Sequence, residues 1–319
     1  MPNESSLPQL NDPFHRLVSQ FESDPSLLEP NQLRRRLEAL DRIDAYLPGI
    51  PPELGAASIP AELYRRARAI CARLETVNHD LYEAIRGNIR RGVGADTLLR
   101  WVHAPPEEEL VTPADGMGHH YLGYDYLDEL ISGVFQFEDP LAGHARREPE
   151  IVPYQPTPAR HIFSLIDLTA LTATDVLVDL GSGLGHVPLL VSICTQARSI
   201  GIELEANYIR RAQQCAQSLN LKNVTFLHQD AREADLSSAT VFYLFTPFTG
   251  SVLRSVLDRL RREATTRRIR ICTYGPCTSV IANEPWLEAA EAPETHRMAL
   301  FNSRDESGSP MGLTQGHDS

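Results

Sequence analysis

The stretch DVLVDLGSGLGHVPLLVSI (175–193) limits what this chain can fold into more than any other part of it. An apolar run closes on an acid, Asp179, glycines then alternate at Gly181, Gly183 and Gly185, and a second apolar run follows. The first run has the length of a buried strand, and the second suits a helix. Glycines between them let the backbone take positive φ and let a ligand approach without Cβ clashes. Pro188 is tolerated in a first helical turn, where its missing donor costs little. The spacing therefore predicts a strand, a ligand-cradling turn and a helix N-terminus in an α/β fold. A dinucleotide fingerprint of GxGxxG form needs its third glycine at position 186, which is His186, so a nicotinamide-dependent oxidoreductase is disfavoured.

The units that follow repeat the pattern. ARSIGIELEANYIRRAQQCAQSLN predicts a strand ending at Glu203 and an amphipathic helix with Ile209, Ala212, Ala216 and Leu219 on one face. An acid at the carboxyl end of the second strand, about 20 residues after the turn, is placed to bind a ribose diol. Glu205 lies close enough to be an alternative, although a carboxylate at a helix start is also explained by the helix dipole. NVTFLHQDARE (223–233) predicts a third strand running into Asp230 and Ala231, where Asp230 is either a ligand or a helix cap. VFYLF (241–245) predicts a fourth strand, followed by the turn Thr246-Pro247-Phe248. IRICTYGPC supplies a fifth strand, and WLEAAEAP with HRMALFNS an antiparallel end.

Strands alternating with helices imply an open parallel sheet, and this pattern begins only near residue 150. The chain has 319 residues, 42% of them hydrophobic, enough for more than one core. Residues 1–11 are read as a flexible N-terminus and 12–149 as a helical accessory domain. Residues 150–303 are read as the α/β domain, and the Gly/Ser-rich 304–319 as a disordered tail. Within the accessory region two helices are expected in 12–47. A long helix is expected after Pro60, with Leu63, Ala67, Ile70, Leu74, Val77, Leu81 and Ile85 spaced by three and four and Gly92 and Gly94 ending it.

Acids outnumber bases 42 to 30. Residues 1–150 hold 25 of those acids and 15 of the bases, so the excess negative charge lies in the N-terminal half. No broad electrostatic footprint for phosphate backbones exists, and a basic or neutral partner fits better than nucleic acid. The arginines at 259, 261, 262, 267, 268 and 270 form a local run, read as a solvated helix end or a phosphate-binding strip. Five scattered cysteines do not make a disulfide framework, and a reducing compartment is the default. His119-His120 lacks a third ligand at metal-site spacing, and Cys272 and Cys277 lack a second pair, so no metal is expected. MPNESSLPQLNDPF has neither a basic nor an apolar leader segment, and no apolar run approaches the roughly 18 residues of a membrane span. A soluble, cytoplasmic protein without membrane contact is expected.

An acid just before a GxGxG turn, followed in order by Glu203 and Asp230, resembles class I S-adenosylmethionine-dependent methyltransferases, with their Rossmann-like doubly wound sheet. Residues 151–209 look most like the non-SET, disruptor-of-telomeric-silencing type of histone-lysine methyltransferase and its bacterial relatives. The shared features are the loop Tyr154-Gln155-Pro156-Thr157, the DLGSGxG turn and the Gly201-Ile202-Glu203 strand end. The resemblance implies S-adenosyl-L-methionine as cofactor, held by Thr157, Asp179, Gly181, Gly183, Gly185, Glu203, Asp230 and Ala231. It places Thr246 beside the transferable methyl group and Pro247 and Phe248 against the acceptor. That turn departs from the Asn/Asp-Pro-Pro-aromatic turn of planar-amine methylation and from the Asn-Asn-Phe of the histone-modifying type. Tyr154 and Thr246 are the candidate catalytic residues, with His186 and His228 as further bases by type. The acceptor implied is a protein side chain or a small molecule. The alternative is a non-catalytic domain that binds cofactor or a partner.

Overall fold

Leu33, Arg36, Ala39 and Ile43, at spacings of three and four, give one helix of the N-terminal region a buried face. The structure, a computed structural model, describes residues 13–47, 60–103, 124–137 and 149–304. The expectations for residues 1–11, His119-His120 and 305–319 lie outside these. The first elements are α1 (Pro13–Glu22), a 3-10 turn (Pro25–Leu28), α2 (Leu33–Asp44), α3 (Ala61–Arg90), α4 (Gly94–Val102) and α5 (Tyr126–Phe135). The described residues divide into two compact units. One holds α1, α2, most of α3, and α5. The other begins at residue 89 and resumes at 136.

In the first unit Phe14, Leu17 and Val18 of α1 pack with Ala39, Ile43, Leu63, Ala67, Ile70 and Leu74. On α2 Leu37 is only half-buried, whereas Arg36 is fully buried. Its guanidinium donates to Asn78 Oδ1 at 2.5 Å and to the carbonyls of Leu27, Glu29 and Pro30. A buried charge persists because those acceptors replace water.

The second unit reaches back well before residue 150 because α4, which the periodicity did not reveal, packs against α7 (His186–Cys194). Its remaining helices are α6 (Ala159–Thr169), α8 (Ala206–Ser218), α9 (Gly250–Ala264) and α10 (Cys277–Ile281). Seven strands form one sheet: β1 (Val176–Leu180), β2 (Arg198–Glu203), β3 (Val224–His228), β4 (Val241–Leu244), β5 (Arg270–Thr273), β6 (Leu287–Ala289) and β7 (Ala299–Ser303). Their order is β3-β2-β1-β4-β5-β7-β6. The first five run parallel, and β7 is antiparallel to both β5 and β6. This is the doubly wound α/β sheet with an antiparallel end expected from the sequence. Strand order reverses at β1, which puts β2 on one side and β4 on the other, the topological switch where such sheets bind ligands.

The arginine run is divided: Arg261, Arg262 and Arg268 are exposed, as a solvated helix end predicts, while Arg259, Arg267 and Arg270 meet internal acceptors. Arg267 donates to the carbonyls of Leu236 at 2.7 Å and Ala239 at 3.0 Å, Arg259 to that of Ala234, and Arg270 pairs with Asp175 at 2.7 Å. Arg259 and Arg267 tie α9 and the residues after it to the segment before β4, and Arg270 ties β5 to the residue before β1. All five cysteines are free thiols. Among the described residues no cluster of three metal-ligating side chains occurs, and no helix is long and apolar enough to cross a membrane.

Candidate functional site

A cleft of about 540 Å³ opens at the carboxyl ends of β1, β2 and β4. Its floor is the glycine turn. Gly181, Gly183 and Gly185 have φ of +87°, +53° and +82°, the left-handed region that costs an L side chain energy. A Cβ at Gly181 would also collide with Pro247, one at Gly183 with the Tyr154 ring, and one at Gly185 with Phe226. The Gly181 and Ser182 amides both donate to Ile202 O, at 2.9 and 3.0 Å, locking the turn onto β2.

Two acids meet above this turn. Asp179 is 4% exposed, and burial, with the Glu203 charge beside it, raises its carboxyl pKa well above the ordinary value. Glu203 accepts the Gly183 amide at 2.9 Å and the Glu205 amide at 2.9 Å, which fixes its carboxylate over the turn. Glu205 lies at the start of α8 and also lines the cleft. Ser182 Oγ is buried and has no hydrogen-bond partner.

Asp230 stands two residues beyond β3. It accepts from the Arg232 amide at 2.7 Å and from the Arg232 guanidinium at 2.7 Å, and this partner lowers its pKa. Asp230 is not the cap of a helix, since a turn and no helix follows it; it caps that turn and lines the cleft beside Ala231.

The segment before α6 crosses the cleft. The Val152 amide donates to Pro247 O at 3.1 Å, and the Glu150 carboxylate accepts from Ser251 and Val252 at the start of α9. Tyr154 lies over Gly183, 5.0 Å from the Tyr208 ring, with its hydroxyl 3.2 Å from His186 Nδ1. Burial raises the Tyr154 pKa and lowers that of His186 to about 4, so both are neutral at pH 7. Thr157 Oγ1 lies 2.9 Å from the hydroxyl of Tyr243, a fully buried residue of β4.

Thr246, Pro247 and Phe248 line the cleft. Thr246 has φ of +41°, and its hydroxyl is committed to α10: it accepts the Cys277 amide at 3.0 Å and donates to Tyr274 O at 3.3 Å. His228 lies outside the cleft, exposed, with Nε2 2.9 Å from Leu204 O. Sequence reasoning missed Tyr243, Tyr208, Phe245 and Arg232, all of which line the cleft. A tyrosine inside an otherwise apolar central strand was the available signal for Tyr243, since a buried phenol needs a partner.

These groups fit a cationic nucleoside. The acid pair Asp179 and Glu203 favours a positive ligand, the turn leaves no room for side chains, and Ser182 offers an unspent hydroxyl. Residues 171–248 match the family model of a methyltransferase domain. No curated protein matches the chain. Among solved structures it is similar to an RNA methyltransferase from Salinibacter ruber in complex with S-adenosyl-L-homocysteine, at 24% identity and TM-score 0.40 over 50% of this chain and 99% of that one. It is also similar to a precorrin-6y C5,15-methyltransferase from Geobacter metallireducens GS-15, at 17% identity and TM-score 0.38 over 49% of this chain and 93% of that one. Residues 171–248, which match a methyltransferase domain, thus carry the acid-flanked glycine turn at the switch point of a doubly wound sheet.

Proposed function

We propose that this site transfers a methyl group from S-adenosyl-L-methionine to a protein side chain or a small molecule. The observation that carries the reading is the pair of strand-end acids, Asp179 and Glu203, converging on the glycine turn. In this reading Asp179, Gly181, Gly183, Gly185 and Thr157 surround the methionine end, Glu203 takes the ribose diol, and Asp230 with the Ala231 amide takes the adenine. Bound there, the cofactor supplies a methyl group already activated by its sulfonium. The chain then has to align the acceptor and exclude water, and needs no nucleophilic triad.

Tyr154 closes the cleft over Gly183. Its raised pKa makes it a hydrogen-bond donor at neutral pH rather than a base. Thr246 acts by holding the turn whose Pro247 and Phe248 face the acceptor. The engagement of Arg259, Arg267 and Arg270 with internal acceptors supports a protein or small-molecule acceptor over nucleic acid. The likeness of residues 151–209 to the non-SET histone-lysine type extends to the Tyr154–Thr157 loop, and a cytoplasmic location agrees with the five free thiols.

Calorimetric titration with S-adenosylmethionine and S-adenosylhomocysteine, with NAD as control, tests the assignment. Binding of the first two at roughly micromolar Kd, weakened at least about a hundredfold in Glu203→Ala, is expected. Equal binding by folded Glu203→Ala would mean that the cofactor lies elsewhere.

A further inference from the structure

Val241, Phe242 and Leu244 make β4 a buried hydrocarbon strand, yet Tyr243 among them carries a hydroxyl to the cleft. Burial raises the pKa of this phenol well above its ordinary value, so it keeps its proton. Its one hydrogen bond among the described residues is with Thr157 Oγ1, at 2.9 Å. Thr157 is itself buried, lines the same cleft, and its hydroxyl has no second partner among the described residues. A phenol is a stronger acid than an aliphatic alcohol and the better donor of the two. The Tyr243 proton therefore goes to Thr157, and the Thr157 proton remains to be given to something else.

The surroundings say what that is. Asp179 lies in register with Tyr243 on one side and with Gly201 of β2 on the other. The other acids lining the cleft, Glu203, Glu205 and Asp230, end or follow β2 and β3, and none stands on the β4 side. The amino-acid end of S-adenosyl-L-methionine carries an ammonium and a carboxylate on one carbon. With the ammonium at Asp179, repulsion by Glu203 drives the carboxylate towards β4. There it needs donors, and the amides of Gly181, Ser182, Gly183 and Gly185 are already spent on Ile202 O, the Glu203 carboxylate and Ser182 O. Ser182 Oγ lies against Gly201 on the β2 side, and the Thr246 hydroxyl donates to Tyr274 O. Thr157 is the hydroxyl left. We propose that Tyr243 is a positioning residue: by donating to Thr157 Oγ1 it leaves the Thr157 proton for the carboxylate of S-adenosyl-L-methionine. The proposal rests on the methyl-transfer reading above and gives a role in it to a residue of β4.

Calorimetric titration of the full chain with S-adenosylmethionine and with decarboxylated S-adenosylmethionine, which lacks only the carboxylate, isolates this contact. The parent should bind the decarboxylated ligand about tenfold or more weakly than S-adenosylmethionine. Tyr243→Phe keeps the ring and removes the hydroxyl. It should bind S-adenosylmethionine about fivefold or more weakly than the parent does, and the decarboxylated ligand within about twofold of it. Thr157→Val should show the same pattern, the double variant should lose no more than Thr157→Val alone, and Thr157→Ser should keep the parent's preference. Both ligands are read on the same folded protein, so a bond that merely ties the segment before α6 to the sheet would weaken the two together. Equal losses for the two ligands, undiminished S-adenosylmethionine affinity in Tyr243→Phe, or losses that add in the double variant would overturn the proposal. A parent that binds both ligands equally refutes only the roles given to Thr157 and Tyr243. A parent that binds neither refutes the methyl-transfer reading instead.

Discussion

Replacing Gly183 by alanine tests whether the turn is shaped for a cofactor or merely tight. Gly183 has φ of +53°, where an L residue costs about 1–2 kcal/mol. The added Cβ also meets the Tyr154 ring, so that ring must move and its 3.2 Å contact with His186 is lost, a further loss of about 1 kcal/mol. Gly183→Ala should therefore destabilise the fold by about 2–3 kcal/mol in urea denaturation. With Tyr154→Ala already in place, the collision and the hydrogen bond are both gone, and only the backbone cost of about 1–2 kcal/mol remains. The cycle predicts a coupling of about 1 kcal/mol between the two positions. Cofactor affinity, read by calorimetry with S-adenosylhomocysteine, should fall about tenfold or more on Gly183→Ala in both backgrounds, because the cradle itself is filled. A coupling indistinguishable from zero would show that Tyr154 does not lie on the turn. Undiminished cofactor affinity would show that the ligand does not approach Gly183.

Asp179→Asn should raise the melting temperature of the cofactor-free protein and sharply weaken cofactor binding, because burial beside Glu203 makes the charged form of this carboxyl costly. Its pKa is raised on folding, so the parent should gain stability over this variant as pH falls through the folded value towards 3.8; parallel pH profiles would refute this. Arg232→Gln should move the acid limb of cofactor binding to higher pH, since Arg232 is what chiefly lowers the Asp230 pKa, and an unmoved limb would mean that Asp230 does not contact the ligand. Thr246→Ala should leave cofactor affinity almost unchanged, lower turnover and cost about 1 kcal/mol of stability through the lost bond to the Cys277 amide. Thr246→Gly should lose less stability than Thr246→Ala, because glycine relieves the φ of +41°, and the opposite order in thermal melts would refute that account.

The acids at the strand ends could be read along the chain because each depends on neighbours only a few residues away. Asp179 closes an apolar run and precedes alternating glycines, Glu203 ends the next strand, and Asp230 follows the third, so local period and turn chemistry sufficed to put three acids at the strand ends that line the cleft. The same local signals gave the sheet its parallel strands and its antiparallel end. Periodicity marks which face of a helix is buried but not against what, and on α2 it could not reveal Arg36, which is buried because carbonyls of the Leu27–Pro30 segment and Asn78 of α3 surround it.

Contacts across long separations were decided only by the tertiary structure. Tyr154 reaches Gly183 and His186, Thr157 meets Tyr243 across 86 residues, and Thr246 is spent on the start of α10, 31 residues on. The arginines of 259–270 look like one charge run in sequence, but Arg259 and Arg267 bind carbonyls and Arg270 binds Asp175 because the fold brings those acceptors to them, while Arg261, Arg262 and Arg268 are exposed. A strand's own residues state that it is a strand. Which strand lies beside it depends on burying the sheet as a whole, and that is a property of the chain only once it has folded.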